Sequence, residues 1–438
     1  MKSHSQDYNT TMNALFRQVT SCEVTLVVNT TTYDLTALAG LVSVVTDTDV
    51  DPIDRRLPQD KITITFNDVN GTLWAQLNAL TTICTEGLIK TTFVQQLSTG
   101  TAETISATAY AVENYRQENN EVIINGVTII DRLNKVISSP STVTSLGGLM
   151  TAASGECEGL VTEGSTFYDW SDLGTLGDNY IVYDKTSGLT YADYLLQLCM
   201  LYGRTLYSTD NNVAAARDYP TEEPSGGSDG YLIRNSIMSI TPKEASPIWW
   251  MTIGYWQGSS YQKAYTQLAR LRYNNGANTE VDNQLLNSWW NTAGSAYEKM
   301  IDYTRNTTVY EIDYRGDPTI QCGDILDVAV EKGKIARCLV LAHNLSFDGA
   351  LSGTLTVKQL GATYEPGLII EDSTIWYSFG TELWLYRLPG EFAINKIVYT
   401  TVNKFDSTGA EIVPAFSKWY MHSCDDLYIY MGPDPIEI

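Results

Sequence analysis

Residues 308–359, TVYEIDYRGDPTIQCGDILDVAVEKGKIARCLVLAHNLSFDGALSGTLTVKQ, decide the fold. They read as a meander of short strands with turns fixed by residue chemistry. Pro318 locks its own φ and biases Asp317 toward extended backbone, while Gly316 can take φ values closed to residues with a Cβ. Gly323-Asp324 makes a second turn. From it Leu326, Val328 and Val330 point to one face of a strand, and Asp327 and Ala329 to the other. Glu331-Lys332-Gly333-Lys334 closes a hairpin onto residues 335–341, and Asp348-Gly349 turns the chain again. Beyond that turn Leu351, Gly353, Leu355 and Val357 alternate with Ser352, Thr354, Thr356 and Lys358, the period of a half-buried strand.

The order of these pieces carries more than any one of them. An Arg315-Gly316-Asp317-Pro318 turn, a Gly-Asp turn, an apolar strand, a hairpin, an Asp-Gly turn and an alternating strand follow one another. This order resembles the second tube-forming β-barrel of phage tail hub proteins. That family includes the baseplate hubs of contractile tails and the N-terminal hub regions of siphophage tail-associated proteins. The resemblance is strongest over residues 310–361, weaker over 61–72 and 121–140, and absent from the end of the chain.

The resemblance implies two small tube-type β-barrels per chain and a homotrimer, whose pseudo-sixfold ring matches a hexameric tail tube. It implies a virion structural protein at the phage tail tip, assembled in the host cytoplasm, that caps the tube and opens a path for DNA. Its partners would be copies of itself, the tail tube or distal tail protein, and fibre or receptor-binding proteins. DNA would pass without specific binding. Under the same resemblance Tyr314, Arg315, Gly316, Asp317, Pro318, Gly323, Asp324, Asp348 and Gly349 belong to the assembly of the second barrel. No enzymatic step and no cofactor are implied.

At 438 residues the chain is too long for one simple core and suggests about two to four domains. A hydrophobic content of 43% argues against bulk disorder. Residues 1–18 lack a basic-apolar leader pattern, and the apolar run 248–256 is too short to span a membrane and contains Gly254. The expectation is a soluble protein without a secretion signal. Seven cysteines (22, 84, 157, 199, 322, 338 and 424) form no C-x-x-C pair, and Cys199 and Cys338 lie in apolar runs. They read as small buried hydrophobes. His4, His343 and His422 have no metal-ligand spacing, so no structural zinc is expected. A net charge of −23 excludes a grip on nucleic acid through phosphate neutralisation. It suits a channel wall, although solubility alone would also account for it.

The sequence organises as mainly β with α+β insertions. Residues 1–115 are expected to form the first tube-type β-barrel, on the alternation of Val24, Leu26 and Val28 and of Ile62, Ile64 and Phe66, with a turn at 67–71. Residues 116–230 read as a mixed α/β domain. In it Ile129, Ile130, Leu133, Val136 and Ile137 have helical spacing over 127–138, with Pro140 as a stop. Thr190 can cap a second helix presenting Tyr191, Tyr194, Leu195, Leu198 and Leu201, and Gly203 ends it. Residues 155–178 read as irregular and 220–230 as an exposed loop.

Residues 231–361 read as helices followed by the second tube-type β-barrel. Ser259 and Gln262 have capping-box spacing for a helix to Tyr273, and Thr279 is placed to cap a longer one carrying Leu285, Trp289 and Tyr297. Residues 362–438 are punctuated by aromatics, from Trp376 to Tyr430, and suggest a small β-sandwich-like accessory domain.

Constellations with a chemical reading are few. Asp47, Asp49, Asp51 and Asp54 invite a calcium loop, but the places that an EF-hand gives to Gly and Glu hold Pro52 and Pro58. A solvated acidic turn is the simpler reading. Arg315-Gly316-Asp317 matches an adhesion tripeptide, yet its turn role is sufficient reason for it. Trp249-Trp250, Tyr255-Trp256, Trp376-Tyr377, Trp384 and Trp419-Tyr420 could stack on sugar rings or fill cores and interfaces. The chain has no G-x-S-x-G, no H-E-x-x-H and no P-loop, and no carboxylate pair is singled out for glycoside hydrolysis. The competing functional reading is a glycan-binding receptor-binding protein or polysaccharide hydrolase.

Overall fold

The computed structural model describes residues 2, 4–12, 20–50, 57–97, 99–138, 146–164, 166–169, 188–201, 204–218, 230–232, 236–244, 248–257, 260–265, 277–282, 308–331, 334–360, 394–399, 404–405, 411–413, 417–422 and 428–433. The protein is mainly β, and most strand pairs are antiparallel.

The first β unit contains α1 (Gln6–Met12), β1 (Thr20–Val28), β2 (Thr31–Asp34), β3 (Gly40–Asp49) and β4 (Gln59–Asn67). It continues through α2 (Thr72–Ala79), α3 (Ile83–Glu86), β5 (Gly87–Gln96), β6 (Ala102–Ser106), β7 (Tyr110–Glu118) and β8 (Glu121–Val127). The alternation read in β1 and β4 is a burial pattern: Val24, Leu26 and Val28, and Ile62, Ile64 and Phe66, all face one core. Tyr115 lies inside β7, whose hairpin with β8 carries the same sheet on to Val127.

The turn after β4 is held by Asp68, whose buried carboxylate accepts N–H groups from Leu73 at 3.2 Å and Trp74 at 2.8 Å. These are donors that α2 cannot satisfy internally. Asp68→Ala should therefore cost about 1–2 kcal/mol, read as a lower urea midpoint with an unchanged denaturant slope.

The middle region holds α4 (Ile129–Arg132), α5 (Leu146–Glu156), β9 (Tyr168–Asp169), α6 (Tyr191–Leu201), β10 (Arg204–Ser208) and β11 (Ala214–Asp218). The helix expected over 127–138 shrinks to the single turn α4. The backbone it would have used is engaged elsewhere: the Leu133 and Lys135 carbonyls accept from Ala192 and Tyr191, and the Ile137 N–H donates to Leu189. Ile129, Ile130, Leu133 and Ile137 are buried while Val136 is exposed, so at four of the five positions the spacing reports burial rather than a long helix. In α6 the expected cap is present. Thr190 Oγ1 accepts the Asp193 N–H at 3.0 Å and donates to its carboxylate at 2.7 Å. Tyr191, Tyr194, Leu195 and Leu198 are buried in the core shared with α5. The stretch read as irregular, 155–178, contains the end of α5 and the short β9.

The second β unit and its neighbours comprise β12 (Gly230–Leu232), β13 (Ile237–Glu244), β14 (Ile248–Gln257), β15 (Ser260–Tyr265), β16 (Ala277–Asp282), β17 (Thr308–Tyr314), β18 (Ile325–Glu331), β19 (Lys334–Phe347) and β20 (Leu351–Gln359). Two expected helices are corrected here. Residues 260–265 form β15, antiparallel to β14, and Thr279 lies inside β16, parallel to β14. A ladder to a strand rich in Trp, Ile and Tyr outcompetes the local capping signals. Residues 266–273 of the first expected helix and 283–305 of the second lie outside the described residues, as do 220–229 and 361–393. At the end of the chain, β21 (Ile394–Tyr399), β22 (Lys404–Phe405), β23 (Glu411–Val413), β24 (Ser417–His422) and β25 (Tyr428–Pro433) form one three-stranded and one two-stranded sheet.

One sheet runs through both β units in the order β13-β17-β20-β19-β3-β4-β8-β7-β5-β1-β2. No closed barrel is formed by these pairings among the described residues. β19 is the common strand. Ala336, Cys338 and Val340 enter the core of the second unit, while Leu345 and Phe347 enter that of the first. Its ladder to β20 slips between Val340 and Ala342, leaving Leu341 as a β-bulge. The Leu341 carbonyl accepts instead from the Val50 N–H, just beyond β3, at 2.8 Å.

β18 and the first half of β19, residues 335–341, are covered on both faces. One faces the second core, and the other carries Leu339 and Leu341 against the helical core of α5 and α6. Asp327 lies on that second face, directly opposite Arg337. Arg337 Nε is 2.9 Å from Asp327 Oδ1, and both side chains are almost wholly buried. Of the cysteines, 22, 157, 199 and 338 are buried, 84 and 322 are partly exposed, and Cys424 lies outside the described residues.

Candidate functional site

Eight adjoining strands, β13-β17-β20-β19-β3-β4-β8-β7, present a polar face opposite the apolar cores. Register aligns Ser239, Asp313, Thr354, Asn344, Asp47 and Lys61 in one row across six of them. A neighbouring row runs Ser352, Ser346, Val45, Thr63, Asn125 and Asn114. Thr63 donates to Asn125 at 3.0 Å, and Asn125 donates to Asn114 at 2.7 Å. Acids on this face (Asp47, Asp49, Glu118, Glu121, Glu311, Asp313) outnumber the exposed bases (Lys61, Arg116, Lys243). Arg116 is paired with Glu118 at 2.7 Å and Lys243 with Glu311. Short hydroxyl and amide side chains without a cation cluster keep a wall hydrated and give phosphates nothing to hold.

Behind the sheet, the Arg315-Gly316-Asp317-Pro318 turn is pinned by a chain of buried hydrogen bonds. His343 Nδ1 lies 3.0 Å from the Ile320 carbonyl, which can only accept, so Nδ1 carries the hydrogen. Nε2 is then the acceptor for Tyr314 Oη at 2.7 Å, and that oxygen in turn accepts the Asp317 N–H at 3.0 Å. Asp317 Oδ1 accepts from the Thr319 N–H, the Thr319 hydroxyl and Tyr8 Oη of α1, at 2.9, 2.7 and 3.2 Å. Asp324, fully buried, accepts the Gln321 N–H at 2.6 Å and pairs with Arg217 at 3.2 Å. Desolvation pushes its carboxyl up against the pull of that guanidinium.

Between the two β units and the middle region lies a cavity of about 80 Å³, lined by Lys2, Asp60, Tyr110, Arg217, Gln321 and His343 among others. Ligand pockets run to roughly 300–1,000 Å³, and this cavity has room for a few waters. Lys2 pairs with Asp210 at 3.0 Å, and Gln321 donates to the same carboxylate at 2.6 Å. Asp60 accepts from Tyr110 at 2.7 Å and Thr48 at 3.0 Å, and has no cation paired with it among the described residues. Burial pushes its carboxyl up to about 7 and lowers His343 to about 4.

The two groups act in opposite directions on stability. Folded Asp60 keeps a proton that the unfolded carboxyl has lost, so its contribution falls as pH rises from 3.8 to about 7. Unfolded His343 binds a proton that the folded ring refuses, so its contribution falls as pH drops from 6.5 to about 4. Each slope is worth about 1.4 kcal/mol per pH unit. Across the shared window, His343→Gln should gain stability on acidification relative to wild type, and Asp60→Asn should lose it. Urea titrations at several pH values read this directly; parallel profiles for all three proteins would contradict it.

The structure brings Tyr314, Gly316, Asp317, Pro318, Gly323 and Asp324 together beside this cavity, with Arg315 held through its N–H to the Ser236 carbonyl. Asp348 and Gly349 sit apart, at the tip of the β19–β20 hairpin. Asp47 and Asp49 lie in β3, and Asp51 and Asp54 are outside the described residues. The sequence reading missed Lys2, Asp60 and His343 around the cavity, and the separate buried pair of Arg337 with Asp327. For His343 a signal existed, a lone imidazole inside the apolar run LVLAHNL. Among the described residues no group of His, Cys, Asp and Glu could hold a metal ion, and no helix is long and apolar enough to cross a membrane.

No family model matches the sequence, and no curated protein matches it. Among solved structures the chain is similar to a tail protein from Neisseria meningitidis, at 10% identity over 77% of this chain and 96% of that one, with a TM-score of 0.49. It is similar to the 43 kDa tail protein of prophage MuSo2 from Shewanella oneidensis, at 12% identity over 76% and 98%, with a TM-score of 0.48. It is also similar to the prophage tail protein gp18 from Listeria monocytogenes, at 10% identity over 76% and 94%, with a TM-score of 0.42. These likenesses are of fold alone.

Proposed function

We propose that this chain is a virion structural protein, the hub at the distal end of a phage tail. The observation that carries the reading is the mostly polar, net acidic face shared by both β units. It is supported by the order of turns and strands from Arg315 to Gln359, which resembles the second tube barrel of tail hubs. In this reading each β unit serves as one tube-type barrel, and three copies close a pseudo-sixfold ring on the tail tube. The polar face lines the passage, and its acids let DNA slide by without being held. Baseplate or fibre proteins dock on the outside, where the C-terminal strands form a small accessory β domain. The work is mechanical, with no chemical step and no cofactor.

The test is a native mass followed by electron-microscopy class averages of the same sample. The expected result is a threefold ring with an open or plugged channel. A stable monomer that makes no ring even beside tail-tube protein sinks the proposal.

A further inference from the structure

The two β units meet along the sheet and around a small cavity, where Asp210 of the middle region also accepts from Thr108 of the first unit and Gln321 of the second. On the sheet side they are joined by the ladder of β19 to β3, where Ala342 to Phe347 pair with Asp49 to Val44, directly after the bulge at Leu341. Their apolar cores remain separate clusters, and the small polar cavity lies at the junction between them. A cavity gives its walls few dispersion contacts, so this junction resists opening less than a packed core would.

The segment from Lys2 to Met12 crosses the same junction. Toward the first unit, the Lys2 ammonium donates to the Ser106 carbonyl at 2.7 Å and the Ser5 N–H to Glu103 at 2.8 Å. Toward the second, the Lys2 N–H donates to the Thr319 carbonyl at 2.9 Å and Tyr8 Oη to Asp317 at 3.2 Å. Ser236 Oγ donates to the Met12 carbonyl at 3.2 Å. Tyr8 and Met12 are buried with Leu97 and Ile105 in a cluster of their own, apart from the three large cores. A helix of seven residues has little stability alone. The segment is therefore held by its anchors, and those anchors sit on both units.

We propose that the segment from Lys2 to Met12 is a releasable strap that locks a hinge at the Leu341 bulge, fixing the angle between the two β units. With the strap in place the cavity is walled by Lys2 and the units are clamped. With the strap gone the cavity opens to solvent, and the β19–β3 ladder is left as the pivot.

Cys322 reports the state of the strap. It lines the cavity, with its Sγ 3.3 Å from the Leu341 carbonyl, and burial raises its thiol well above the usual value. Alkylation of the intact chain, mapped by peptide mass spectrometry, gives the rate at each cysteine. Tyr8→Phe removes the bond to Asp317 and should speed alkylation of Cys322 roughly two- to tenfold. Tyr8→Ala also empties the anchor site and should speed it well over tenfold. Cys22 and Cys199, inside the first and helical cores, should keep their wild-type rates. An unchanged Cys322 rate in Tyr8→Phe overturns the proposal. So does an equal acceleration at all three cysteines, which would mean general unfolding. If Tyr8→Ala does not fold, the Tyr8→Phe result decides alone.

Discussion

Arg337→Met is expected to cost the protein about 3–5 kcal/mol, because it takes the guanidinium away from a carboxylate buried in a dry interface. The pair sits on neighbouring strands in direct register, with Nε to Oδ1 at 2.9 Å and Nη2 to Oδ2 at 3.4 Å. Arg337 is 3% exposed and Asp327 is fully buried, so water cannot replace a lost partner. An exposed pair of the same geometry would contribute about 1 kcal/mol or less. The double variant Arg337→Met with Asp327→Leu should recover most of the loss, since two apolar side chains of similar size pack where two charges stood. Denaturant unfolding of the two single variants and the double completes a mutant cycle. A double variant as unstable as Arg337→Met would show that the charges themselves are needed.

The second large effect is expected at Gly316. Its φ is +75°, and a Cβ there would lie 2.9 Å from the backbone carbon and oxygen of Ser352. Gly316→Ala therefore combines left-handed strain of about 1–2 kcal/mol with a clash that no side-chain rotation relieves. The displaced turn would also pull the Asp317 N–H from Tyr314 Oη and loosen the bond to His343. A total loss of about 3 kcal/mol or more follows. Gly349 is the control. Its φ is +98°, but a Cβ there meets nothing within 4 Å. Gly349→Ala should show the strain alone, at about 1–2 kcal/mol. Thermal melts of the two variants separate the contributions, and equal losses would remove the clash from the account.

Strands with one buried face were legible from the sequence. Val24 to Val28, Ile62 to Phe66 and Leu351 to Val357 alternate because water lies on one side and a core on the other. What escaped is whatever a distant segment covers. Asp327, Arg337 and Lys358 are buried polar residues in strands that look amphipathic, because the middle region closes over their outer face. The helical spacing of 127–138 was real as a burial pattern, but residues 189–192 took up the backbone bonds a helix needs. The polar face is invisible in any one strand. Ser239, Thr354, Asn344 and Asp47 lie more than 300 residues apart in sequence at the extremes of their span and become neighbours through register alone.

β19 has a mechanical meaning beyond its place in two cores. It is one strand of fourteen residues with one half rooted in each β unit. A pull that separates the units therefore runs along covalent backbone, and cannot part them by simply peeling two surfaces. To part them, β19 must be drawn out of one core, dragging Leu345 and Phe347 or Cys338 and Val340 into water together. The tether between the halves is thus much tougher in tension than the clamp that sets their angle, and such a body bends before it breaks.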